Sequence, residues 1–134
     1  MSAAANKKLL QDVFSELELG NSRPFVESLS DDVRWTIIGT TKWSRTYDGK
    51  RAVLAELLTP LRAQIADRIR VTAGRIIAED DLVVVEGRGH STTTAGKPYN
   101  NAYCWIYRLA NGKIQELTEY LDTQLVASAL GDPA

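Results

Sequence analysis

Residues 82–122 read LVVVEGRGHSTTTAGKPYNNAYCWIYRLANGKIQELTEYLD, three strands joined by two turns, and the fold is decided there. Ala110-Asn111-Gly112 is a hairpin signal, because Asn and Gly accept the positive φ of a tight two-residue turn. Ala95-Gly96-Lys97-Pro98 is the second turn, with Pro98 at a strand start because its nitrogen cannot donate to a ladder. Side chains alternate between the faces of a strand. The stretch therefore sorts into Glu86, Arg88 and His90; Asn101, Tyr103, Trp105 and Tyr107; and Thr118, Tyr120 and Asp122. Polar and aromatic groups share one parity in each strand. A sheet face built that way is expected to wall a pocket.

Toward the N-terminus, IRVTAGRIIAE within Arg68–Glu79 reads as a further strand, and Glu79-Asp80-Asp81 as the turn after it. Before it, Val53, Leu54, Leu57, Leu58 and Leu61 recur at helical spacing, with Asp48 as the expected cap and Pro60 predicting a kink or an early end. VRWTIIG is a β-branched strand. The connection TTKWSRTYDG is polar apart from Trp43 and Tyr47, which suggests that these two fold over something. Asn6–Leu19 carries an apolar stripe (Leu9, Leu10, Val13, Phe14, Leu17) ended by Gly20, and Ser22 and Pro24 start a short second helix. Residues 1–5 are expected to fray. At the other end, Thr123–Leu130 fits a short terminal helix. The order is helix, helix, strand, helix and four strands. It implies an α+β domain: a curved antiparallel sheet, cone-shaped, packed against three N-terminal helices, with a small-molecule site at the open end.

Composition narrows the function. A chain of 134 residues makes one domain (1–134) with a sizeable core. A formal net charge of -1 argues against nucleic acid. No apolar run is long enough to cross a bilayer, and MSAAANKK lacks the apolar centre of a signal peptide, so a cytoplasmic protein without membrane partners is expected. The single cysteine, Cys104, excludes an internal disulfide and reads as a packed thiol. Neither a glycine-rich phosphate loop nor a Cys or His pair at metal-ligand spacing is present, so no cofactor and no metal are expected.

The order of elements, together with LSDDVRWTIIGTTKWSRTYDGKRAVLAELL (29–58) and NGKIQELTEYLDT (111–123), resembles the nuclear-transport-factor-2-like superfamily, specifically SnoaL-like and ketosteroid-isomerase-related proteins. The resemblance runs from Asn6 onward. It implies a cone-shaped pocket and a homodimer formed through the outer sheet face. The three catalytic positions of ketosteroid isomerases fall near Val13, Ile37 and Trp105, none of which keeps that chemistry, although the Trp105 indole can still donate one hydrogen bond. SnoaL-like cyclases carry an acid/base aspartate late in the last strand, where Asp122 stands. Of the Asp–Arg–Asp relay of limonene-epoxide-hydrolase relatives, only Arg88 with Asp122 imitates a part.

The candidate catalytic residues are thus Asp122, Glu86 and His90. Asp122 is either an acid/base group in an aromatic cone or the cap of the terminal helix. Glu86 and His90 are either a proton relay on one strand face or, respectively, an ion-pair partner for Arg88, Arg75 or Arg34 and an exposed strand end. The candidate ligand-binding residues are Trp35, Trp43, Arg88, Asn101, Tyr103, Trp105 and Tyr120, aromatic or hydrogen-bonding groups suited to an apolar cavity. Two readings compete. One is a SnoaL-like small-molecule pocket protein acting as an acid/base isomerase, cyclase or hydrolase on an apolar carbonyl or hydroxylated compound. The other is a non-catalytic ligand-binding or dimeric scaffold protein.

Overall fold

The computed structural model describes residues 2–133. Helix α1 (Ala3–Leu17) begins earlier than its apolar stripe, because the Ser2 hydroxyl accepts from the Ala5 N–H at 3.1 Å and caps the first turn. The residues expected to fray are therefore helical from Ala3. Leu10, Val13, Phe14 and Leu17 are buried along one face, and Gly20, at φ 83°, turns the chain out of the helix. Helix α2 (Arg23–Ser28) leads straight into strand β1 (Leu29–Ile37).

The polar connection that follows is not all loop. Thr46–Asp48 forms a short strand, β2, antiparallel to β1. Asp48 belongs to that strand, and the N-cap of the next helix is Gly49. That helix runs as α3 (Lys50–Ala52), a π-helical turn (Val53–Leu58) and α4 (Thr59–Gln64). Pro60 neither breaks nor ends it. Proline has no N–H and its ring presses on the carbonyl four residues back. The wider π turn just before it, with the Thr59 N–H bonded to the Leu54 carbonyl, carries the chain past that obstacle.

Strands β3 (Val71–Glu79), β4 (Leu82–Gly89), β5 (Ala102–Ala110) and β6 (Lys113–Leu121) follow, and α5 (Thr123–Ala129) closes the chain. Asn111 and Gly112 both have positive φ, so the β5–β6 hairpin turns where the sequence indicates. The six strands lie in the order β2-β1-β6-β5-β4-β3. Neighbours joined by hairpins are antiparallel, but β1 pairs parallel with β6. The curved sheet is accordingly mixed, a correction to the all-antiparallel expectation. More than half of the chain separates β1 from β6, so no tight turn dictates their relative direction.

Helix α1 packs on β3 and β4, and the core lies between the helices and the inner sheet face. One buried polar residue ties the C-terminal elements together. The Asn101 carboxamide accepts from the Ala102 and Asp122 N–H groups (2.8 and 3.0 Å) and donates to the Asp122 carbonyl (3.1 Å) and the Tyr99 hydroxyl (3.2 Å). All of its hydrogen-bonding capacity is spent inside the protein, which corrects the expectation that it would orient a ligand. Asn101→Ala strands these partners, and urea denaturation is expected to show a loss of about 3 kcal/mol.

Candidate functional site

The inner sheet face bears a row of large rings. Within β4, Val83, Val85 and Gly87 face inward opposite Tyr107, Trp105 and Tyr103 of β5. Gly87 is required for space. A Cβ there would lie 2.5 Å from Trp105 Cζ3 and 2.9 Å from the Thr72 carbonyl. The cleared space lets Tyr103 and Trp105 stack at 4.5 Å, while Phe14 of α1 leans on Trp105 at 5.3 Å. Across the floor, Trp35 of β1 meets Phe25 of α2 edge-on at 5.7 Å. Trp43 is buried in the connection between β1 and β2, where its indole N–H donates to the Gly131 carbonyl at 2.8 Å. These rings surround a cavity of about 370 Å³, whose exposed rim includes Arg62, Asp67 and Arg68.

One carboxylate lies in this apolar chamber: Glu119 of β6. It stands opposite Trp105, whose indole N–H donates to Oε1 at 2.9 Å, and it is only 8 % exposed. Burial pushes its pKa up to about 7, against the smaller opposing pull of the Trp105 hydrogen bond. Near neutral pH the group is therefore divided between acid and carboxylate, the condition in which one side chain both takes and returns a proton. Burial likewise holds the Tyr103 and Tyr107 hydroxyls well above the ordinary tyrosine range, so both stay protonated. Trp35 lines the same cavity, and its Nε1 is buried without a hydrogen-bond partner in the protein.

The structure gathers Trp35, Trp43, Tyr103 and Trp105 around the cavity as the sequence suggests, and puts the other candidates elsewhere. Asp122 is exposed and caps α5 through the Leu125 N–H at 3.1 Å. Glu86 and Arg88 face outward. Glu86 is tied to Arg75, with Nη2 to Oε2 at 3.0 Å, and that hydrogen bond holds its carboxyl below the usual range. Its side chain is 47 % exposed, so no buried proton relay passes through it. His90 is exposed at the strand end, its Nε2 at 2.9 Å from the Thr72 hydroxyl. Tyr120 points outward and is 44 % exposed. Arg88 and Asp122 do not meet in a relay, since one lies on the outer sheet face and the other at a helix cap.

A single bulge explains both the missed glutamate and the misplaced tyrosine. From the turn, Ala110 pairs with Lys113 and Leu109 with Ile114, but Arg108 then pairs with Glu116, leaving Gln115 as an extra residue. Had the first register continued, Trp105 would face Thr118 and Tyr103 would face Tyr120. The bulge exchanges the two faces of β6 beyond it, so Leu117, Glu119 and Leu121 turn inward. No residue type in KIQELTEYL announces that slip. The available hint was chemical: Glu119 is flanked by Leu117 and Leu121 at strand spacing, an apolar stripe with one acid in it.

The SnoaL-like domain family matches residues 10–117. The chain belongs to that family. No match to the sequence was found among curated proteins. Solved structures show the same fold at low identity. An NTF2-like protein of unknown function from Burkholderia pseudomallei is 19% identical over 98% of this chain and 100% of its own, with a TM-score of 0.79. TerC, co-crystallised with polyporic acid, is 17% identical over 92% and 96%, with a TM-score of 0.77. An epoxide hydrolase of the LEH-like kind from M. tuberculosis is 17% identical over 91% and 86%, with a TM-score of 0.70. Among the described residues of this SnoaL-like domain, no helix is long and apolar enough to cross a membrane.

The buried glutamate leaves a thermodynamic signature. Its folded-state pKa of about 7 lies above the ordinary 4.5, so both states are protonated at low pH and folding feels no penalty. As pH rises from 4.5 through 7, the unfolded chain sheds the proton first, and stability falls by roughly 3 kcal/mol. Urea denaturation of wild type and Glu119→Gln across that range is expected to converge at the acid end. Above pH 7 the variant should be the more stable by about that amount.

Proposed function

We propose that this SnoaL-like domain binds an apolar ring compound carrying a carbonyl or hydroxyl group and moves a proton on it through Glu119. The observation that carries the reading is the Glu119 carboxyl, buried in an otherwise apolar cavity and held by the Trp105 N–H with its pKa near neutrality. In the carboxylate form it removes a proton from a carbon next to a carbonyl, or from a hydroxyl. In the acid form it returns the proton to another atom of the same molecule. The charge that develops on the ligand oxygen needs a donor, a role we assign to the Tyr103 hydroxyl of the cavity wall. The apolar walls raise the worth of each such hydrogen bond by excluding water. TerC, of like fold, was co-crystallised with polyporic acid, which supports a ring compound as ligand.

A screen of ring ketones by thermal shift, followed by deuterium exchange at the carbon beside the carbonyl, tests this. Exchange is expected to rise with pH and level off above about 7. Glu119→Gln should slow it at least about 100-fold while leaving the thermal shift in place. Ligand binding with no exchange would leave the domain a non-catalytic binder.

A second copy of the chain on the outer sheet face is the assembly we infer. Ile77 (58 % exposed), Leu82 (41 %) and Tyr120 (44 %) share that face with half-buried Val84, Cys104 and Ile106, an apolar patch flanked by the Arg75–Glu86 and Arg108–Glu116 ion pairs. Sedimentation is expected to give a dimer for the wild type and a monomer for Ile106→Lys, and a wild-type monomer would end the inference.

A further inference from the structure

Resting on the pocket reading above, we infer that the ligand is anionic, with its ring system in the aromatic chamber and its negative group at the rim between Arg62 and Arg68. Both guanidiniums are exposed where the cavity opens, and both belong to its lining. Among the described residues, neither takes part in an ion pair. Asp67, the acid on the same rim, is turned to Arg70, whose Nη2 lies 3.6 Å from its Oδ2. Arg62 makes one neutral contact, donating from Nη2 to the Ser22 hydroxyl at 3.1 Å. The stem of Arg68 lies along Gly20, where even a Cβ would come within 3.0 Å of its Cδ. That approach places the side chain beside the opening.

What sets these two cations apart is their place at the mouth of an apolar chamber. An exposed guanidinium draws a carboxylate, sulfonate or phenolate from solution and binds the first two in two-pronged fashion. The interior offers nothing comparable to an anion. Its one titratable carboxyl, Glu119, repels negative charge when ionised, so an anionic ligand enters with its apolar end first and keeps its charged end outside. The arrangement fixes the ligand's direction in the cavity, and with it the atoms that reach Glu119.

Two naphthalene dyes test the charge separately from the cavity: 1-anilinonaphthalene-8-sulfonate and its uncharged counterpart N-phenyl-1-naphthylamine. Only the fluorescence lost in Leu61→Trp, which plugs the rim, is counted as cavity binding. Wild type is expected to bind both dyes, and the sulfonate more tightly at low salt. In Arg62→Gln/Arg68→Gln the sulfonate should weaken about five- to tenfold while the neutral dye stays within about twofold. Asp67→Asn should strengthen the sulfonate alone. Unchanged sulfonate binding by the double arginine variant would overturn the anionic ligand and leave the pocket intact. Failure of both dyes to bind the cavity would overturn the pocket reading with it.

Discussion

The site depends on one extra residue. Gln115 bulges from β6 between the tight turn and the centre of the sheet, and the side chains beyond it change face. The bulge brings Glu119 against Trp105 inside the fold and sends Tyr120 to the outside. A carboxyl is costly to bury, and this one is held by a single indole hydrogen bond, so its proton affinity rises until the neutral form shares the population. The acid/base character of the cavity is thus a consequence of strand register before it is a matter of residue type.

The scaffold around that carboxyl is built to keep a void open. Well-packed interiors fill such spaces. Here the rings of Tyr103, Trp105, Phe14, Phe25 and Trp35 brace one another at the walls, and Gly87 supplies the clearance that Trp105 needs. The far end is shut by the Trp43 indole on the Gly131 carbonyl, the Tyr47 hydroxyl on the Trp43 carbonyl, and the Asn101 carboxamide across β5 and the start of α5. Asp122 belongs to that closure as the α5 cap, which is why it is unavailable to the cavity. Trp35 differs from the other indoles. Trp43 and Trp105 have satisfied N–H groups, whereas the Trp35 N–H is buried without a partner in the protein.

Much of the architecture was written in local chemistry. Asn111-Gly112 forces its turn because both residues tolerate positive φ, Gly20 ends α1 for the same reason, and the apolar stripe of α1 names the face it buries. The aromatic walls were legible too, since Tyr103 and Trp105 alternate on one side of a single strand. Pro60 does not end its helix, because the π turn before it is a remedy that the proline does not itself encode. Asn101 is a different case: a buried amide can serve ligand or backbone equally well, and only its four hydrogen bonds reveal which.

The sequence by itself determined the main helices and strands (though not the short strand β2), where the β5–β6 hairpin turns, and that aromatic residues would share a face within each strand. These follow from φ preferences and from periods of two and 3.6 residues, which act over a few neighbours. Only the tertiary structure decided which face of β6 meets which face of β5, that β1 runs parallel to β6, and therefore that the acid in the cavity is Glu119. Relations between strands are set by a bulge and by packing across the whole chain, and alternation within one strand carries no information about them.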